Sequence, residues 1–259
     1  MRQTIKKLFF SLLVFISIGF ILAPILNIFF TLTVKELIKT IHDQEVWHAI
    51  FTSFLGASLA TMLGCVLGVP LAYILSHYEF KGKHILEAIT NLPVVIPHVA
   101  VGIALLSFFN ERTFLGKFFA YFHITFVDTI YGIVIAMAFV SISFVVSSAL
   151  IGFKGIDKHL EMVSRSLGAS AFYTFWHITF PLALPAIFRG AILAFARGLS
   201  EVGALLILAY YPKTAPIIMY ERFTEYGLNA AKPIAALVIF FSLLIFFILL
   251  YFSKYHAKR

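Results

Sequence analysis

Three ionisable side chains stand in AIFRGAILAFARGLSEVGALLILA, residues 186–209, a run otherwise apolar enough to lie in lipid. They are Arg189, Arg197 and Glu201. Arg197 and Glu201 are one helical turn apart and can pair on one face. A charge at mid-bilayer costs at least about 2.5–3.5 kcal/mol, so such groups face a helix bundle or a cavity. Two chemistries fit: a charge site beside a transport path, with Ser200 between the two charges, or a structural ion pair with Arg189 reaching toward the cytoplasmic interface. His98 follows Pro97 in NLPVVIPHVAVGIALL, residues 91–106. It reads either as a ligand or proton carrier, or as a hydrogen-bonded structural histidine. Pro93 and Pro97 bracket an apolar stretch and free backbone groups there, which survive at membrane depth only where protein or a water-filled cavity satisfies them. Pro93, Pro97, His98, Arg197, Ser200 and Glu201 are the candidates for lining a path.

Other chemistries are excluded. No GxxxxGK[ST] run occurs, so no P-loop hydrolyses nucleotide in this chain, and no HExxH supports a zinc protease. The run Gly198-Leu199-Ser200-Glu201 has a passing likeness to an intramembrane serine-protease motif, but the following glycine is missing. Cys65 is the one cysteine; it rules out an intrachain disulfide and a multi-thiolate metal site, and no metal is expected. The formal charge of +8 is dispersed rather than clustered with aromatics, which gives nucleic-acid binding no support.

The elements that must hold these residues are membrane helices. Of 259 residues 61% are hydrophobic and 12% charged, against about 45–50% and about 25% in ordinary soluble domains. Apolar runs predict about six transmembrane helices at residues 8–32, 49–76, 91–106, 129–153, 182–209 and 233–253. Residues 33–48 repeat apolar positions at Val34, Leu37, Ile38 and Ile41 and predict an amphipathic helix on the outer interface. Gly56, Ala60, Gly64 and Gly68 recur every four residues along the second span, a small-residue ridge for close helix packing, within the chain or between subunits. Residues 210–233 predict a folded outer cap or re-entrant segment, either a surface for an external partner or a tyrosine belt at the lipid interface. With six spans both termini lie on one side. That side, which includes the second and fourth inter-span loops, holds eleven Lys and Arg (Arg2, Lys6, Lys7, Lys81, Lys83, Lys154, Lys158, Arg165, Lys254, Lys258 and Arg259), and the other side seven. The bias places both termini in the cytoplasm, N-in and C-in. Residues 1–44 form an N-terminal helix with its outer segment, and residues 45–253 the main transmembrane domain.

One polar stretch, DKHLEMVSRSLGASAFYTFWHITFP at residues 157–181, falls on the cytoplasmic side of this scheme. It predicts two short helices: Asp157 caps the first, Gly168 ends it in a left-handed turn, Ser170 caps the second and Pro181 stops it. A folded element between spans is a means of touching something outside the bilayer.

This stretch resembles the cytoplasmic coupling motif of ABC importer permeases, with Glu161, Gly168, Ile178 and Pro181 on the motif positions; Met162 and Val163 stand where the family has two alanines. NLPVVIPHVAVGIALL and AFARGLSEVGALLILAYYPKTAPIIMYERF are similar to segments of molybdate and tungstate permeases, with sulfate permeases more distant. The resemblance covers about residues 45–250. It implies an all-α polytopic membrane protein with the type I ABC importer permease fold. It also implies a homodimer working with two cytoplasmic ATPase subunits and an extracytoplasmic oxyanion-binding protein. The coupling helices would be residues 157–176, with Asp157, Glu161, Arg165, Gly168 and Ala169 meeting the ATPase. No cofactor is expected on this chain itself, ATP and magnesium being used by the partner. The implied function is ATP-driven import of tungstate or molybdate across the cell membrane, with sulfate or thiosulfate as the alternative. An intramembrane enzyme or a sensory subunit is the reading from outside transport.

Overall fold

The computed structural model describes residues 2–256. Lys258 and Arg259, counted above in the charge bias, lie outside the described residues, as do the side chains of Arg2 and Lys254. The described residues form helices joined by short turns: α1 (Arg2–Phe30), α2 (Val34–Ile41), α3 (Gln44–His77), α4 (Lys83–Val95), α5 (His98–Phe109), α6 (Phe114–Tyr121) and α7 (Ile130–Lys154). They continue as α8 (Lys158–Ser166), α9 (Ala171–Thr174), a π turn (Phe175–Thr179), α10 (Phe180–Leu199), α11 (Gly203–Leu208), α12 (Ala215–Tyr226) and α13 (Leu228–His256). Five helical stretches are long and apolar enough to span a membrane, and α4 with α5 makes a sixth that bends by 111°.

The core is built on α7, which packs between α3 and α10. Small residues set the spacing. A Cβ at Gly56 would stand 2.7 Å from Ile133 Cγ2, and one at Gly68 3.1 Å from Val146 Cγ2, so this stripe of α3 faces α7 within the same chain. On the other side a Cβ at Gly190 of α10 would meet Ser148 Cβ at 2.7 Å. Without a hydrophobic drive inside lipid, this backbone-close van der Waals contact is what holds helices together. The apolar window of α1 is not buried by the rest of the chain.

Several boundaries differ from the sequence reading. The amphipathic segment 33–48 is two elements. α2 ends at Ile41, and Asp43 starts α3 by accepting the Glu45 N–H at 3.0 Å, a cap strong enough to break the run. Pro93 does not interrupt its helix; it lies inside α4, and the break falls at Ile96-Pro97 alone. Ile96 (ψ 133°) is extended, as the ring of a proline demands of its predecessor, and Pro97 (ψ 133°) is likewise outside the helical region. Nor does Pro181 end a helix. Residues Ala171–Leu199 run as one 29-residue helix through it. The π turn just before Pro181 widens the backbone and gives its ring room against the preceding carbonyls. The fifth span thus starts earlier than residue 182 and ends at Leu199, with a break at residues 200–202 before α11. The outer cap at 210–233 is α12 plus the first turn and a half of α13, and its Lys213 and Arg222 clamp onto Glu45 and Asp43 at the head of α3.

Candidate functional site

Two polar sites lie at opposite ends of the helix Ala171–Leu199. At the basic end, α8 projects as a short separate helix. Asp157 caps it by accepting the His159 N–H at 2.9 Å. At its far end Gly168 has φ +92°, the Gly168 N–H reaches Arg165 O at 3.0 Å, and the Ala169 N–H reaches Ser164 O at 3.2 Å. Ser170 then caps the next helix by accepting the Tyr173 N–H at 3.1 Å. Leu160, Val163 and Leu167 lie along one apolar face and remain exposed, Leu167 almost fully. They line an open groove of about 960 Å³ together with Gly168, Tyr173 and Pro181. An exposed apolar groove at a helix end, outside any span, is a candidate docking surface. Arg165 is exposed on the same short helix.

Glu161 points the other way, into the bundle. Its Oε1 accepts from His77 Nε2 at 3.0 Å and from Thr179 Oγ1 at 2.6 Å. His77 is the last residue of α3 and Thr179 ends the π turn, so one carboxylate ties α8 to α3 and to the base of α10. Ser164 Oγ and Thr174 Oγ1 share a buried hydrogen bond at 3.0 Å that adds a second tie. Tyr73 packs on His77 and Phe175 and walls the junction with aromatic rings. Sequence reading missed His77 and Thr179; both are polar residues next to span ends, but nothing local connects positions 77, 161 and 179.

The second site lies at membrane depth. Gly198 of α10 packs against Ala57, fourteen residues into α3, or about 20 Å from the outer end of that helix at 1.5 Å per residue. Here both broken spans have their breaks. α5 and α11 start side by side, so close that a Cβ at Gly203 would lie 2.7 Å from His98 Cβ and one at Gly102 2.8 Å from Ala204 O. Three candidates from the sequence meet at this point. Arg197 Nη2 is 3.1 Å from Glu201 Oε2, and His98 Nδ1 is 2.6 Å from the same oxygen. Glu201 Oε1 accepts the Ala204 N–H at 2.8 Å. A carboxylate only accepts, so Nδ1 is the donor to Glu201. Arg197 Nη2 lies 2.7 Å from Nδ1 and 2.8 Å from Nε2, so evenly placed that it packs close against the imidazole rather than on the lone pair of either nitrogen. Ser200 Oγ donates to Arg197 O at 3.0 Å and receives Nη1 at 3.4 Å. Glu201 is 1% exposed, Arg197 22% and His98 40%. Pro97 caps α5 at this cluster, whereas Pro93 is buried inside α4, and Arg189 is exposed two turns below. The sequence signal for the long-range partner was the Pro-His pair at a helix break.

Among the described residues no group of three or more His, Cys, Asp and Glu could hold a metal ion.

Comparison with known proteins gives a consistent picture. The family model described as "Binding-protein-dependent transport system inner membrane component" matches residues 64–259. The chain is 43% identical over 247 residues to "Molybdate/tungstate transport system permease protein WtpB" of Pyrococcus abyssi, covering 93% of this chain and 94% of that one. It is 42% identical over 251 residues to the protein of the same name from Thermococcus kodakarensis, covering 96% of each. A "Probable sulfate transport system permease protein cysT" of Marchantia polymorpha is 32% identical over 210 residues, covering 80% of this chain and 73% of that one. Among solved structures, the fold matches a bacterial ABC transporter involved in the import of the acidic polysaccharide alginate. The TM-score is 0.72 at 18% identity, with 97% of this chain and 95% of that one covered.

Proposed function

Because this chain belongs to the binding-protein-dependent transport system inner membrane components, we propose that it is the permease of an ATP-driven importer for molybdate and tungstate. It is a multi-span inner-membrane protein and carries no nucleotide-hydrolysing loop, so ATP is spent by a separate chain. The observation that carries the substrate class is the near full-length likeness to molybdate/tungstate permeases, well above the likeness to the sulfate permease. The working complex is a homodimer of this chain with two cytoplasmic ATPase subunits, which bind ATP and magnesium, and an extracytoplasmic protein that delivers the oxyanion. The groove lined by Leu160, Val163 and Leu167 is the ATPase docking surface, with both chain termini on the same, cytoplasmic side.

The mechanism follows from the two sites and the helix between them. When the ATPases close, they pull on α8. Glu161 passes the pull to His77 of α3 and Thr179 at the base of α10. The 29-residue helix Ala171–Leu199 is about 43 Å long and continuous, so displacement at its base reaches Arg197 at its far end. There the α10–α11 and α4–α5 breaks give backbone that can rearrange between two packed states, opening the bundle to one side or the other. The docked external protein selects the anion, and the permease needs no strong site of its own.

The test is reconstitution with the co-expressed ATPase. ATP hydrolysis should rise when tungstate-loaded binding protein is added, and labelled tungstate uptake should resist a hundredfold excess of sulfate. Uptake abolished by that excess would reassign the permease to sulfate.

A further inference from the structure

We propose that Arg197, with Ser200 and the open edge of His98, is a transit site for a tetrahedral oxyanion, and that Glu201 is the fixed counter-charge that keeps the site weak. The inference rests on the oxyanion reading above and adds to it a location and a set of residues.

The arrangement of charge is graded. Glu201 lies deepest and is saturated: it accepts from His98 Nδ1, from Arg197 Nη2 and from the Ala204 N–H. Arg197 is not saturated. One Nη2 faces the carboxylate, and Nη1 reaches only Ser200 Oγ, at 3.4 Å. Among the described residues Nε has no acceptor. A guanidinium holds five donors in a planar fork that matches the oxygen spacing of a tetrahedral anion, and this one keeps part of its surface open beside a half-buried His98 and an exposed Ser200. Glu201 is sealed at 1% exposure, whereas Arg197 and His98 keep 22% and 40% of their side chains open.

The carboxylate also solves a kinetic problem. An isolated arginine in a low-dielectric cleft would bind a dianion too tightly to release it, and a path requires entry and exit to be comparable. A negative charge 3.1 Å behind the guanidinium offsets the attraction. It also holds the arginine in place when no anion is present. Position adds a further reason. The cluster is at the top of the helix that begins at the coupling loop, and at both chain breaks, so the switch between states moves Arg197 relative to His98.

The experiment uses the assembled complex of permease, ATPase and binding protein in proteoliposomes, and reads the ratio of labelled tungstate accumulated to ATP hydrolysed. Arg197→Lys keeps the charge and the pairing with Glu201 but removes the fork; the ratio should fall at least about tenfold. The double variant Arg197→Gln/Glu201→Gln leaves no unpaired buried charge and should fall as far. A ratio within twofold of wild type in both variants overturns the proposal, and so does failure of both to assemble, which makes the cluster a structural clamp. A wild-type complex whose ATPase responds to tungstate-loaded binding protein, but which accumulates no tungstate, instead contradicts the oxyanion-import reading.

Discussion

Replacing Glu161 by alanine should disconnect the coupling loop without unfolding the bundle. The side chain makes two hydrogen bonds, to His77 Nε2 and Thr179 Oγ1, and both partners are largely or fully shielded. A hydrogen bond to a charged group contributes about 1.5–3 kcal/mol net, so losing both weakens the α8 junction by about 3 kcal/mol or more. That raises the population of detached α8 by roughly 150-fold, at 1.4 kcal/mol per factor of ten. The Ser164–Thr174 bond remains and should keep detachment local. Hydrogen exchange read by mass spectrometry should show loss of protection in residues 158–180, with α7 unchanged. In proteoliposomes, ATP hydrolysis should lose its response to loaded binding protein. Glu161→Gln retains an acceptor for both donors and should lie between wild type and alanine. If Glu161→Ala kept the exchange protection of α8 and the full response, the carboxylate would not be the joint that carries force into α3 and α10.

Three further outcomes follow from the geometry. Gly168 has φ +92°, and a Cβ there would meet nothing within 4 Å, so Gly168→Ala should cost about 1–2 kcal/mol from backbone strain alone and weaken co-purification of the ATPase, while Gly168→Asn should be milder. Gly56→Val should disrupt the α3–α7 contact, because even a Cβ would stand 2.7 Å from Ile133; an overpacking cost of about 1–3 kcal/mol should appear as a lower melting temperature in detergent. At the outer end, burial alone would lower the Lys213 pKa, yet hydrogen bonds to Glu221 and Glu45 hold it above the usual lysine range. A raised pKa means that the stabilisation is complete below the ordinary lysine value and is lost only as pH climbs past it. Lys213→Gln should therefore lower the melting temperature equally at pH 7 and pH 9.

The sequence carried the span count and the helix–glycine–helix form of residues 157–174 because both rest on local signals. A charge-free run of about twenty residues needs lipid whatever its partners, and Asp157, Gly168 and Ser170 act within a few residues of themselves. The small-residue stripe from Gly56 to Gly68 was visible, but not its partner, since a ridge is equally suited to a helix of the same chain or another. Proline was misread twice in the same direction, as a breaker where the helix continues. Pro93 sits in a helix that tolerates it, and Pro181 is accommodated by a π turn, a hydrogen-bond shift that no residue type announces. Asp43 split a segment whose apolar period runs on past it, because a single cap outweighed the pattern. The charged cluster was half legible. The four-residue spacing of Arg197 and Glu201 gave one edge of it and the Pro97-His98 pair named the histidine, while the meeting of His98 with Glu201, 103 positions away in the chain, comes only from the packing of α5 on α11.

The most direct measurement is accumulation of labelled tungstate in proteoliposomes holding this chain and its ATPase, with ATP and magnesium at the ATPase face and tungstate-loaded binding protein at the other. Tungstate should build up against its gradient, and removing the ATP or the binding protein should abolish the uptake. Uptake that persists without ATP, or ATP hydrolysis stimulated by the loaded protein with no tungstate inside the vesicles, would contradict the account.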